Sequence, residues 1–144
     1  LCVVSIHGFT HAQEPLSALR DKKLSKPSLF TSLPEKMEVT STELHAILSR
    51  DINENFISQV SGQLVLEGTV VEKNQHTPGS LSLNIRVHNY HDALFNLTIR
   101  FLADNSTAVK GRIIHPQYGD VLELYKENDK YYFKKISQRL YMPD

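Results

Sequence analysis

His88 and His91 bracket Asn89 and Tyr90, and Asp92 follows directly. Two imidazoles and a carboxylate are residue types that hold a divalent metal. Asn and Asp are equally the residues of turns, because they bond their own backbone and tolerate left-handed conformations. The stretch falls where the chain must reverse between two alternating apolar runs, so it reads as a turn and no metal site is expected. His115 opens a second polar stretch, Pro116, Gln117, Tyr118, Gly119 and Asp120. A general acid or base on a loop has this look. However, no Gly-x-Ser-x-Gly elbow marks a nucleophile, and no second group is tied to His115 by sequence. The expectation is a protein with no catalytic residues and no cofactor.

Arg86, Arg100 and Arg112 occupy polar positions of three successive period-two runs. With neighbouring strands in register they make a basic stripe with Asn84, Asn96 and Lys110. Guanidinium forks suit a carboxylate, sulfate or phosphate group on a partner. Glu67, Glu72 and Glu123 are placed to neutralise the stripe, and a solvated face with cross-strand ion pairs is the competing reading. Tyr118, Tyr125, Tyr131, Tyr132 and Tyr141 crowd the last third. They suit an exposed edge that touches protein or glycan; they are also good strand formers that close a core. Tyr131 and Tyr132 must face opposite sides of one strand. Asn96 with Thr98, and Asn105 with Thr107, match a glycosylation acceptor pattern that is common by chance.

The elements that position these residues follow from periodicity. Lys36 to Val39 suits a short strand after the breaker Pro34. Thr40 and Glu43 have the spacing of a capping box, and Leu44, Ile47 and Leu48 then share one helical face. A helix is expected over Ser41 to Ser49. Asp51 with Glu54 repeats the cap pattern, and Ile52, Phe56, Ile57 and Val60 suit a second short helix. From Gly62 the period becomes two. Leu64 to Val71, Leu81 to Val87, Ala93 to Phe101, Val109 to Ile113, Val121 to Tyr125 and Tyr131 to Ile136 read as strands. Pro78-Gly79 makes the first turn, with Gly79 expected at positive φ. Short connections put successive strands side by side, giving an antiparallel meander of about six strands. Its apolar face needs a cover, and the helix supplies it. The expected class is therefore α+β, one helix or two on a curved sheet; the alternative is a partial β-barrel.

Several segments carry a further resemblance. They are Gly68-Thr69-Val70-Val71, the strand ending at Asn89-Tyr90, Gly111-Arg112-Ile113-Ile114, Tyr118-Gly119-Asp120 with Leu122-Glu123-Leu124, and Lys130-Tyr131-Tyr132-Phe133. Over Leu29 to Tyr141 the chain resembles a loose group of uncharacterised exported proteins of Bacteroidota-type bacteria. The resemblance implies location more than mechanism.

The N-terminal residues point the same way. Leu1 to Phe9 is apolar apart from Ser5, His7 and Gly8, and small residues follow at Thr10 and Ala12. This reads as the remnant of a secretory signal peptide, residues 1–12, cleaved after Ala12. Residues 13–28 then read as a polar arm, and 29–144 as one domain. Cys2 is the only cysteine, so the processed chain has no disulfide. The 144 residues balance 16 Lys and Arg against 16 Asp and Glu. That balance gives no electrostatic reason to expect nucleic acid. No transmembrane helix is expected in the processed chain. The functional expectation is an exported or envelope-associated, non-catalytic module that binds a protein or glycan through Arg86, Arg100 and Arg112. A protease inhibitor or propeptide-like domain, and a small-ligand binder with a cavity between helix and sheet, are the alternatives.

Overall fold

Period-two alternation organises more than half of the described residues. The computed structural model describes residues 26–137; the segments expected to be a signal remnant (1–12) and most of the expected polar arm (13–28) lie outside them. The strands are β1 (Lys36–Val39), β2 (Asn55–Gln59), β3 (Val65–Thr77), β4 (Ser80–Val87), β5 (Ala93–Phe101), β6 (Thr107–Ile114), β7 (Asp120–Glu127) and β8 (Lys130–Ser137). One helix, α1 (Ser41–Leu48), joins β1 to β2, and a 3-10 turn covers His88–Tyr90. The strands form one sheet in the order β1-β8-β7-β6-β5-β4-β3-β2, antiparallel at every pairing. It curls into a half-barrel.

The fold is thus mostly β, and the expected α+β arrangement of a helix layer on a six-stranded meander is wrong. Two strands were missing from that sheet for different reasons. β1 pairs with β8, Lys36 opposite Lys134 and Val39 opposite Tyr131; a partner so distant in sequence leaves no local periodic trace. β2 occupies the region read as a second helix. Phe56, Ser58 and Val60 are buried in alternation there, whereas Ile57 is 70% exposed. Asn53, at φ 66°, turns the chain out of any helix before β2 begins. Phe56 and Val60 satisfy both a helical and a strand spacing, and the strand wins because β3 offers a full ladder opposite Asn55–Gln59.

Both cap patterns act differently from expectation. The Thr40 side chain makes no capping bond. Glu43 instead accepts a hydrogen bond from Ser58 Oγ at 2.8 Å, which ties the helix to β2. Glu54 does reach back, accepting from the Asp51 amide at 2.8 Å, but it closes a turn rather than a helix. Among the described residues α1 is the one α-helix, and it packs Leu44, Ile47 and Leu48 into the core.

The inner face of the half-barrel is continuous. Leu66, Val70, Leu83, Ile85, Phe95, Leu97, Ile113, Leu122 and Phe133 are fully enclosed, and Phe30 joins them from the N-terminal side. Asp120 at the start of β7 holds that segment in place. Its carboxylate accepts from the Leu29 amide at 2.7 Å, the Phe30 amide at 2.8 Å and the Ser28 hydroxyl. Asn128 and Asp129 both adopt positive φ between β7 and β8, the backbone of a two-residue turn whose twist matches its strands. Gly79 does not: no glycine among the described residues has positive φ. The Pro78-Gly79 turn is accommodated instead by a register shift between Gln75 and Thr77.

Candidate functional site

Residues directly opposite in an antiparallel ladder share a face of the sheet. The pairings therefore resolve the outer face into cross-strand rows. Arg100 lies between Ser80 and Ala108; Lys110 lies opposite Thr98, which faces Ser82; Arg112 lies between Asn96 and Glu123; Arg86 lies between Thr69 and Leu94. All three arginines face outward, but they do not make the single stripe anticipated from the sequence. Lys110 sits diagonally from Arg100 and two residues from Arg112, each step about 7 Å. Arg86 is three rows, roughly 20 Å, from Arg100. The structure thus links Arg100, Lys110 and Arg112 in successive short steps, while Arg86 lies one row beyond Arg112 and two strands from it, about 12 Å away.

Hydrogen-bonded amides and hydroxyls hold the surface between these cations. Asn96 Nδ2 donates to Asn84 Oδ1 at 2.6 Å, and Asn84 Nδ2 donates to Glu72 Oε2 at 2.6 Å. Asn74 Nδ2 donates to the other Glu72 oxygen at 2.8 Å. These donors favour the ionised carboxylate and lower the Glu72 pKa from its ordinary 4.5, Asn74 contributing most and then Asn84. Glu72 is therefore engaged with amides, while Glu123 is the cross-strand neighbour of Arg112. Ser82 and Thr98 pair through their hydroxyls at 2.8 Å. A shallow groove of about 420 Å³ follows this surface past His76, Thr98, Arg100 and Lys110.

Beside it the sheet itself parts. β5 pairs with β6 over eight positions, and β7 pairs with β8 over eight. β6 pairs with β7 at only three, Gly111–Ile113 with Leu122–Leu124. Beyond them Thr107–Lys110 and Tyr125–Glu127 diverge, leaving a cleft of about 710 Å³. Val109, Leu124 and Tyr131 line its inner side, and Lys110, Arg112 and Glu123 its outer side. The sequence carried little sign of this cleft, because strand-forming residues continue through both walls. The cavity once expected between helix and sheet is not where this opening lies: Leu44, Ile47 and Leu48 are packed with Phe30 and Leu33 in the core.

The histidines have local partners. His88 Nδ1 lies 2.8 Å from Asp92 Oδ1, and its Nε2 lies 2.7 Å from Thr69 Oγ1. This hydroxyl–imidazole–carboxylate wiring resembles that of a nucleophile with its base, and sequence reasoning missed it because Thr69 meets His88 only through strand register. Asn55 Oδ1 also contacts the Thr69 hydroxyl, so the hydroxyl proton is not committed to His88. The side chains of His88 and Asp92 are 48% and 61% exposed, and the chain of contacts braces the turn that carries His91 and Asp92 at positive φ. His91 stacks on Tyr118, 5.6 Å between ring centroids, rather than converging with His88. His115 Nδ1 accepts from the Gln117 amide at 3.1 Å and meets Tyr118 edge-on. Tyr125 and Tyr132 stack on the outer face under Lys36, whose Nζ is 4.3 Å from the Tyr132 ring centroid. Tyr131 is buried on the opposite side, and Tyr141 lies outside the described residues.

No family model, curated protein or solved structure matches the chain. The resemblance to exported Bacteroidota-type proteins therefore rests on the quoted segments alone.

Proposed function

We propose that this chain is an exported, non-catalytic binding module whose partner surface is the outer face around Arg100, Lys110 and Arg112. The observation that carries this reading is the parting of β6 from β7 directly beside these cations. A closed sheet would present only a solvated polar face, whereas here the charged group borders a cleft with an apolar inner side. The chain as a whole is neutral, so the local cluster, not net charge, selects the partner, an anionic surface of a protein or glycan. Export is supported by the apolar run ending at Ala12. No helix among the described residues is long and apolar enough to cross a membrane.

The reading is tested by retention of partners from the native envelope fraction. A triple variant, Arg100→Ala, Lys110→Ala and Arg112→Ala, is expected to lose partners that the wild type retains, and Arg86→Ala to keep them. Wild-type retention is expected to fall with added salt, since the Debye length is only about 8 Å at physiological ionic strength. Equal retention by a folded triple variant contradicts the proposal. N-terminal sequencing of the native protein tests export: a start near Gln13 is expected, and a retained Leu1 contradicts it.

A further inference from the structure

We propose that the cleft between β6 and β7 receives an extended peptide segment of a partner protein, which adds as a strand to the parted edge of β6. The inference rests on the reading of the Arg100, Lys110 and Arg112 face as the partner surface, and it names the class of partner.

The backbone is the first argument. Along Thr107–Lys110, β6 has β5 as its ladder partner on one side and the cleft on the other. Backbone groups of a strand point alternately to its two sides, so half of those in this stretch face the cleft. An extended chain satisfies such groups by strand addition. The lining shows the same thing. Past the last β6–β7 pair, Thr107 to Lys110 line the cleft consecutively, and so do Tyr125 and Lys126. A sheet face presents every second residue; only a strand seen from its edge presents them in succession. Four strand residues span about 13 Å, the length of a four-residue extended segment.

The side chains supply the second argument. An inserted strand would place alternate residues inward, toward Val109, Leu124 and Tyr131, and outward, toward Lys110 and Arg112. Lys110, Arg112 and Lys126 line the cleft with one carboxylate, Glu123, which is opposite Arg112; Lys126 also pairs with Asp129 at 3.8 Å, so Lys110 leads the positive character of the lining. The complementary segment alternates apolar and acidic residues. The outer edge β1 is less suited, because it has only four residues and Lys36 is drawn over Tyr132 and paired with Glu127 at 3.0 Å.

The test uses the full chain and synthetic capped peptides. The probe is a six-residue peptide of alternating valine and glutamate. Controls are a peptide with three valines followed by three glutamates, one with lysine replacing glutamate, and the alternating peptide N-methylated at every second residue to remove strand-pairing donors. Amide NMR shifts are expected at Thr107–Lys110 with the alternating peptide, and at least tenfold weaker binding of all three controls. Equal binding of the N-methylated peptides, methylated in either frame, overturns strand addition while leaving an electrostatic surface intact. Undiminished binding of the alternating peptide to the folded triple alanine variant contradicts the surface itself. Absence of shifts at Thr107–Lys110 with millimolar peptide, or preference for an acidic oligosaccharide at the same site, overturns the proposal.

Discussion

Asp120 shows how one carboxylate organises a region that no motif marks. Three donors from Ser28, Leu29 and Phe30 converge on it, and Phe30 is thereby held fully buried. Removing the acceptor leaves the Leu29 and Phe30 amides short of a partner, which costs about 1–3 kcal/mol for a buried donor. Asp120→Ala is therefore expected to lower the urea midpoint and to loosen the Phe30 segment; an unchanged midpoint would show that the clamp contributes nothing. Glu72 offers a second test. Its folded pKa is lowered by Asn74 and Asn84. Its contribution is therefore complete above the ordinary value of 4.5 and is lost as pH falls through the lowered folded value. Side-chain NMR titration should find Glu72 below the ordinary range, and Asn84→Ala should move it back up. The outward direction of Arg86, Arg100 and Arg112 was legible from alternation alone. Their rows were not, because row membership depends on register across four strands. Glu72 was expected beside the arginines, but alternation does not explain how it gets there: the register shift after Val70 inserts an extra residue and places Glu72 outward, opposite Asn84.

At the scale of elements, the helix is real but smaller in consequence than a second layer. Its three core residues fall at i, i+3 and i+4, and Leu48 is 5% exposed. Truncating a buried leucine leaves a cavity as well as lost transfer energy, so Leu48→Ala should cost roughly 2–5 kcal/mol. A denaturation midpoint like that of the wild type would separate the helix from the core. β4, β5 and β8 were readable in the sequence because Leu83, Ile85 and Val87, then Phe95, Leu97 and Ile99, then Tyr131 and Phe133 alternate with polar residues over a ladder of uniform register. β2 was not, because its two apolar spacings coincide with those of a helix. Its true state is decided by pairing with Val65–Thr69, a contact outside the reach of a local pattern.

At the scale of the molecule, two features are global and were therefore hidden. One is the pairing of β1 with β8, which adds the first strand beside the last at one edge of the sheet. The other is the parting of β6 from β7. Both strands alternate regularly through the point where they diverge, so nothing in either announces the cleft. The proposed function depends on that parting more than on any single arginine, and native-state hydrogen exchange of the free protein tests it without a partner. Along Thr107–Lys110 protection should alternate: amides bonded to β5 exchange slowly, and amides facing the cleft exchange fast. Along Gly111–Ile113, where β6 is paired on both sides, all amides should be protected. Slow exchange at every amide from Thr107 to Ile113 would mean that β6 and β7 are zipped together in solution, and would contradict the account.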